Sequence, residues 1–329
     1  MTTALPARFT DWFAARDWRA HDHQLAMLDA ARNGEDALLI APTGGGKTLA
    51  GFLPSLVEIA ETEPAGLHTL YISPLKALAV DIERNLQSPI EEMGLTITAE
   101  TRTGDTPQRK RQRQRDKPPH LLLTTPESLA LLLSYADAPR MFRRLRTIIV
   151  DELHALAGTK RGDLLALCMA RLSTLAQNSR RVGLSATVAW PEDLAAWLSP
   201  QADADYVRRI VSEEAVEPEI RILETREEMP WSGHMATHAL PEIYVAIHQH
   251  NTTLVFVNTR AQAEVVFQQL WRINDDNLPI ALHHGSLARE QRRKVEAAMA
   301  RGDLRAVVAT SSLDLGVDWV GLSFVQRPE

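Results

Sequence analysis

The sequence predicts an α/β protein of two lobes, each a parallel sheet flanked by helices, and three features predict it. Short apolar runs alternate with helical stretches, at 37–40, 67–72, 95–99, 120–124, 147–150 and 181–184, and again at 253–257, 280–283 and 306–310. Such alternation favours parallel strands covered on both faces, because each crossover lays a helix back on the sheet. Several runs end in a polar signature, at the edge of an open α/β sheet where ligands bind. Between residues 201 and 234 the composition turns charged and polar, with Pro218, Pro230 and Gly233 as breakers. The expected organisation is a first lobe at 1–200, a connector at 201–235 with paired linking strands at 206–211 and 219–223, and a second lobe at 236–329.

A length of 329 residues fits two domains, and 45% hydrophobic with 24% charged residues suits a pair of ordinary packed cores. No run approaches the roughly 20 apolar residues of a membrane span. The N-terminus, with Asp11 and Asp17 among its aromatics, lacks the apolar centre of a signal peptide. A cytoplasmic protein without a membrane partner is therefore expected. Cys168 is the single cysteine, which excludes an intramolecular disulfide and a thiolate cluster within the chain. The net charge of -6 argues against a globally basic coat but permits a local basic groove.

Residues 1–35 read as helical, with Phe9, Trp12, Phe13 and Trp18 ahead of His21, His23 and Gln24. The two histidines are too close and unaccompanied for a metal site. The strand Ala37–Ile40 then enters Ala41-Pro42-Thr43-Gly44-Gly45-Gly46-Lys47-Thr48, which resembles a phosphate-binding loop with Ala41 in place of its first glycine. Glycines let backbone N–H groups close on phosphate oxygens, and the following helix N-terminus adds partial positive charge. Lys47 would reach the β- and γ-phosphates, and Thr48 would hold Mg²⁺ through its hydroxyl. Gln24 stands where its amide could read an adenine edge with Trp18 as aromatic neighbour; a surface Gln beside core aromatics is the alternative. Leu49, Phe52, Leu53, Leu56, Val57 and Ala60 have helical spacing, and Pro54 should kink that helix.

The run Thr147–Val150 delivers Asp151-Glu152-Leu153-His154 at its tip, which resembles a Walker B element. Asp151 would hold Mg²⁺ through water and Glu152 would orient or activate the attacking water. Arg109, Lys110, Arg111, Arg113, Arg115 and Lys117 form a cationic run that could contact phosphate or be a solvated helix face. In the second lobe, His283 and His284 have no ligand partners at metal spacing, so core packing or a backbone hydrogen bond is expected of them.

Gly-Gly-Gly-Lys-Thr, Asp-Glu-Leu-His and Ser185-Ala186-Thr187 together resemble motifs I, II and III of superfamily 2 helicases. Ser73-Pro74-Leu75-Lys76-Ala77-Leu78 and Thr124-Thr125-Pro126-Glu127-Ser128-Leu129 are similar to motifs Ia and Ib. The stretches at 258–260, 284–287 and 310–318 are similar to motifs IV, IVa and V. The wording is most similar to the Lhr-type large helicases and, within them, the DNA-ligase-associated DEXH-box group.

The resemblance implies two RecA-like lobes that hydrolyse ATP with Mg²⁺ and couple it to movement on single-stranded or partly duplex DNA. It further implies a setting in DNA repair and a DNA ligase or nuclease as partner. By the same resemblance Lys47, Asp151, Glu152 and His154 are catalytic, and Gly316 and Asp318 approach the nucleotide. Ser73, Pro74, Lys76, Thr124, Thr125, Asn258, Thr259, Ser286 and Thr310 approach the strand backbone. Ser185, Ala186 and Thr187 couple the two sites. For Ser73, Thr124 and Thr125, helix capping is a second reading that can coexist with the first.

The family's motif VI, with its arginine finger, has no counterpart: Gln326-Arg327 mimics only its first letters and leads straight into Pro328-Glu329. The expectation is a chain cut short inside its second lobe, with impaired turnover. The rival readings are an RNA helicase of the same superfamily and a non-catalytic nucleotide-dependent binding module.

Overall fold

Strand-forming runs and amphipathic helices alternate in a computed structural model that describes residues 4–42, 45–186, 188–212, 222–225, 237–310, 313 and 324–326. The chain divides into two compact units, Met1–Ala215 and Val216–Glu329. In the first, seven strands form one sheet: β1 (Asp36–Ile40), β2 (Thr69–Ile72), β3 (Ala99–Arg102), β4 (Leu121–Thr124), β5 (Thr147–Val150), β6 (Arg180–Ser185) and β7 (Val207–Val211). Their spatial order is β3-β4-β2-β5-β6-β1-β7, and every pair is parallel.

The two-residue period of the strands sorts their side chains to two cores. Leu39, Tyr71, Leu123, Ile149 and Leu184 face one layer of helices: α1 (Ala7–Ala14), α2 (Asp22–Arg32), α3 (Lys47–Thr62) and α4 (Lys76–Glu92). Leu38, Ile40, Leu70, Ile72, Leu122, Ile148 and Val150 face the other. The mostly exposed, cationic α5 (Gln108–Asp116) follows β3. The second layer comprises α6 (Pro126–Ser134), α7 (Ala138–Phe142), α8 (Leu153–Leu156), α9 (Lys160–Leu175) and α10 (Pro191–Leu198). Cys168 is buried there, on α9. Helix α3 runs without a break through Pro54, which is buried within it.

Two sequence expectations are corrected. The strand expected at 95–99 forms at Ala99–Arg102 instead, while Leu95 and Ile97 are buried in the core from an irregular segment. Residues 207–211, expected in the connector, pair with β1 from Asp36–Val207 to Ile40–Val211 as the edge strand of the first sheet. Burial of Val207 and Ile210 holds β7 there. Arg208 adds bonds to Asp29 at 2.8 Å and Glu35 at 3.1 Å. Most of its expected partner, 219–223, lies outside the described residues.

The second unit carries a four-stranded parallel sheet in the order β11-β8-β10-β9. Its strands are β8 (Thr253–Phe256), β9 (Ile280–His283), β10 (Ala306–Ala309) and β11 (Phe324–Gln326). Val255, Ala306 and Val308 pack on α11 (Leu240–Gln249) and α12 (Arg260–Arg272). Leu254, Val307 and Ala309 meet Met299 of α13 (Arg289–Ala300) on the opposite face. Among the described residues, no helix is long and apolar enough to cross a membrane.

Candidate nucleotide site and strand-contact turns

At the C-terminal end of β1 the chain enters the glycine turn, of which Thr43 and Gly44 lie outside the described residues. Gly46 caps α3 in the left-handed region, at φ +70°. The backbone there favours glycine, and a Cβ would stand 2.9 Å from Gln24 Nε2 and push that amide aside. The Gly45 amide donates to the Pro42 carbonyl at 3.1 Å. Lys47, 9% exposed, donates from Nζ to the Ala41 carbonyl at 3.0 Å, and Thr48 is half-buried in the first turn of α3. Gln24 is 2% exposed, not a surface residue. Its Oε1 accepts the His21 amide at 3.0 Å, which leaves Nε2 toward the glycine turn. Trp18 is 55% exposed and meets Trp12 edge-on at 5.9 Å.

Strand β5 brings Asp151 and Glu152 to the same sheet edge as that turn, with only β6 between β5 and β1. Asp151 is 5% exposed; its Oδ1 accepts the Glu152 amide at 2.9 Å and its Oδ2 accepts the Tyr71 hydroxyl. Burial, then the adjacent Glu152 charge, push the Asp151 carboxyl up to about 6. The two hydrogen bonds and the Lys47 charge oppose that rise without cancelling it. Glu152 sits at φ +46°, a left-handed conformation in a non-glycine residue.

His154 joins these acids to β6. Its Nδ1 lies 3.1 Å from Ser185 Oγ, and its Nε2 lies 3.4 Å from Glu152 Oε2. Burial and the Lys47 charge hold its imidazole below the usual histidine range. The Ser185 hydroxyl also donates to the Ala186 carbonyl at 2.9 Å; Thr187 lies outside the described residues.

The oxygen donors fit a hard divalent cation that keeps most of its waters: the Asp151 carboxylate and the Thr48 hydroxyl, with Glu152 adjacent. Asp151 and Glu152, adjacent and only 5% and 7% exposed, crowd two acids at a buried point where a divalent cation would offset their charge.

The candidate strand contacts behave differently. Ser73, Thr124 and Thr125 are buried, and their hydroxyls are engaged internally. Ser73 Oγ accepts the Leu75 amide at 3.3 Å, Thr124 donates to the Arg102 carbonyl at 2.8 Å, and Thr125 caps α6. Pro74 is buried, whereas the exposed Lys76 ammonium pairs with Asp105 at 3.3 Å. In the second unit Asn258, Thr259 and Ser286 are exposed, and Thr259 caps α12. Thr310 is buried and follows β10 at the same end of the sheet at which Asn258 follows the parallel β8. Gly316 and Asp318 lie outside the described residues. His283 and His284 are buried, facing Glu296 at 3.1 Å and Glu264 at 3.4 Å, and His284 Nδ1 accepts the Ser286 amide.

Much of the α5 charge is spent at home. Arg113 pairs with Glu100 at 2.6 Å and Arg115 with Asp137 at 2.9 Å, while Arg111 donates to the Thr103 and Gly104 carbonyls. Sequence reasoning missed Tyr71, whose hydroxyl meets Asp151 across 80 residues of chain. The one signal was an aromatic hydroxyl inside the fully buried strand Thr-Leu-Tyr-Ile.

Comparison with known proteins gives the family of the chain. Residues 21–194 match the DEAD/DEAH box helicase family, and residues 235–327 match the helicase conserved C-terminal domain. The Lhr helicase/probable uracil glycosylase of Mycolicibacterium smegmatis is 37% identical over 97% of this chain, which spans 24% of that relative. The ATP-dependent helicase Lhr-Core protein 2 of Thermococcus barophilus is 37% identical over 94% of this chain and 38% of its own length. The solved structure of Mycobacterium smegmatis helicase Lhr bound to ssDNA and AMP-PNP superposes with a TM-score of 0.81 at 39% identity, covering 98% of this chain and 43% of that one. The chain thus spans well under half the length of these relatives. By motif order, by the doubly wound parallel sheets and by these matches, it belongs to the DEAD/DEAH box helicase family, as a superfamily 2 helicase of the Lhr type.

Proposed function

We propose that the chain binds Mg·ATP in its first lobe and hydrolyses it in response to single-stranded DNA, as the motor part of an ATP-dependent helicase or translocase. One observation carries the reading: a lysine-bearing glycine turn and a buried acid pair open on the same sheet edge, near enough for Lys47 to act electrostatically on Asp151. Nucleotide binding would exchange the Ala41 carbonyl for phosphate oxygens at Lys47 Nζ. Thr48 and Asp151 would hold Mg²⁺, which would supply positive charge toward the phosphoryl group. Glu152 orients the attacking water, and His154 carries its position to Ser185. Gln24, held beside Gly46, reads the base.

DNA is favoured over RNA because the Mycobacterium smegmatis Lhr structure holds ssDNA and AMP-PNP. Asn258, Thr259, Ser286, Thr310, Lys76 and the backbone of the Ser73 and Thr124 turns are the proposed phosphate contacts. A cytoplasmic setting, a role in DNA repair and a DNA ligase or nuclease partner are the finer parts of the proposal, resting on composition and motif wording.

ATP hydrolysis measured with and without matched single-stranded DNA and RNA tests the reading. DNA should stimulate hydrolysis several-fold, and Lys47→Ala should remove at least about 100-fold of the rate. Stronger stimulation by RNA would favour the RNA helicase. Hydrolysis indifferent to Lys47→Ala would overturn the motor assignment.

A further inference from the structure

A buried imidazole costs free energy that a phenylalanine in its place would not, unless its nitrogens find partners. His284 is such a residue, 2% exposed. It follows the last residue of β9, and β9 and β8 both run parallel to β10, with His283 and Phe256 level on either side of Ala309. The turn after His284 therefore opens at the same sheet edge as Asn258 and Thr259, which follow β8. His284 closes that turn twice. Its carbonyl accepts the Leu287 amide at 3.1 Å, and its Nδ1 accepts the Ser286 amide at 3.3 Å. The second bond is one that an Asn or Asp side chain makes from the first position of a turn.

An accepting Nδ1 leaves the proton of the neutral ring on Nε2. That nitrogen stands 3.4 Å from Glu264 Oε1, a carboxylate that favours the proton there. Glu264 belongs to α12, the helix that Thr259 caps. Four residues before it, on the same face of α12, Arg260 reaches over the turn, its Nη2 3.9 Å from where a Cβ on Gly285 would stand. The neighbouring His283 turns instead to Glu296 of α13, at 3.1 Å. We propose that His284 is a positioning residue for the strand: it sets the Ser286 turn through Nδ1 and faces α12 through Nε2, so that the Ser286 and Asn258–Thr259 turns meet the phosphates at a fixed spacing. Buried, it acts through the turn and touches no phosphate itself. The inference rests on the proposed function, which makes those two turns strand contacts.

The test is the affinity of the full chain for a fluorescent single-stranded DNA oligonucleotide, with the melting temperature read alongside. His284→Phe keeps a buried ring without the acceptor and should weaken binding about fivefold, the worth of one ordered hydrogen bond. His284→Asn returns an acceptor to the Ser286 amide without the ring. It should bind within about twofold of wild type even though the smaller side chain lowers the melting temperature. In a Ser286→Ala background, itself weakened, His284→Phe should cost less than about twofold more, since the two act through one turn. His284→Phe that binds like wild type overturns the inference. So does His284→Asn that binds as weakly as His284→Phe, the mark of a histidine needed only for packing. Ser286→Ala that binds like wild type, or losses that add in the double variant, also overturn it. Each of those results leaves the proposed function standing, whereas a wild-type chain that does not bind the oligonucleotide overturns both.

Discussion

Gly46 and Asp151 show how single residues set the terms of the site. At Gly46 an alanine must adopt φ +70° and displace the Gln24 amide, 2.9 Å from where its Cβ would sit. The backbone cost is about 1 kcal/mol, so Gly46→Ala should lower the melting temperature by only about 3 °C. Its effect on Mg·AMP-PNP affinity, measured by calorimetry, should be at least tenfold, because the loop and Gln24 are displaced together. Asp151 is a different case. Its carboxyl, at about 6 when folded against 3.8 as the ordinary value, favours the folded state while protonated. That contribution is fully present below pH 4 and is lost as pH rises through 6. Without Mg²⁺, Asp151→Asn should therefore stabilise the protein at pH 7.5 by about 1 kcal/mol, with the loss of one accepted hydrogen bond offsetting part of the gain. The advantage should vanish near pH 4, and melting curves across that range check it. The same substitution should abolish Mg-dependent ATP hydrolysis, since the acid that costs stability is the one the cation requires.

Among the elements, α3 is pinned at both ends, by the glycine turn at its start and by Glu58 near its finish. Arg180, which opens β6, grips Glu58 with two bonds of 2.7 Å, and the buried His68 adds a contact at 3.2 Å. Burial pushes the Glu58 carboxyl up, but the bonds from His68 and Arg180 outweigh it and bring it to about 2. A depressed carboxyl stabilises above its ordinary value of 4.5 and loses that contribution as pH falls from there toward 2. Glu58→Gln should cost about 2 kcal/mol at pH 7, a deficit in melting temperature that narrows below pH 4.5. Basal hydrolysis should change little, because Glu58 lies far along α3 from Lys47. The strands of the site were legible because they are aliphatic and end in chemistry, as Thr147–Val150 does before Asp151. Strand β3 was not: Ala-Glu-Thr-Arg is polar, while the apolar Leu95 and Ile97 just ahead of it imitate a strand and pack from a loop. Strand β7 reads as linker because an edge strand carries Arg208 and Arg209 toward ion pairs. Helix α5 shows the opposite hazard, a cationic run whose arginines turn out to hold Glu100, Asp137 and local carbonyls.

At the scale of the whole molecule, the two units have separate cores, one pair of clusters around the seven-stranded sheet and another around the four-stranded sheet. Contiguous motifs let the sequence point to candidates that the fold brings to one sheet edge, Lys47, Asp151 and Glu152, whereas the Tyr71–Asp151 bond and the placement of Gln24 against Gly46 depend on the fold and were not legible. Separate cores allow separate melting transitions, and the residues proposed to grip the triphosphate (Lys47, Thr48, Asp151 and Glu152) all belong to the first. A ligand at 100 times its dissociation constant stabilises the unit that binds it by about 2.7 kcal/mol. For a unit of this size that is about 5–10 °C. Scanning calorimetry with Mg·AMP-PNP alone should therefore raise one transition by that amount and leave the other nearly in place, and Lys47→Ala should cancel the rise. Adding single-stranded DNA should then lift the second transition, because Asn258, Thr259, Ser286 and Thr310 are proposed to hold the strand. If the nucleotide moves neither transition, the phosphate-binding role of the turn at Lys47 is wrong. If it moves the second more than the first, the nucleotide is held chiefly by the second unit, and the acid pair at Asp151 and Glu152 loses its assigned task.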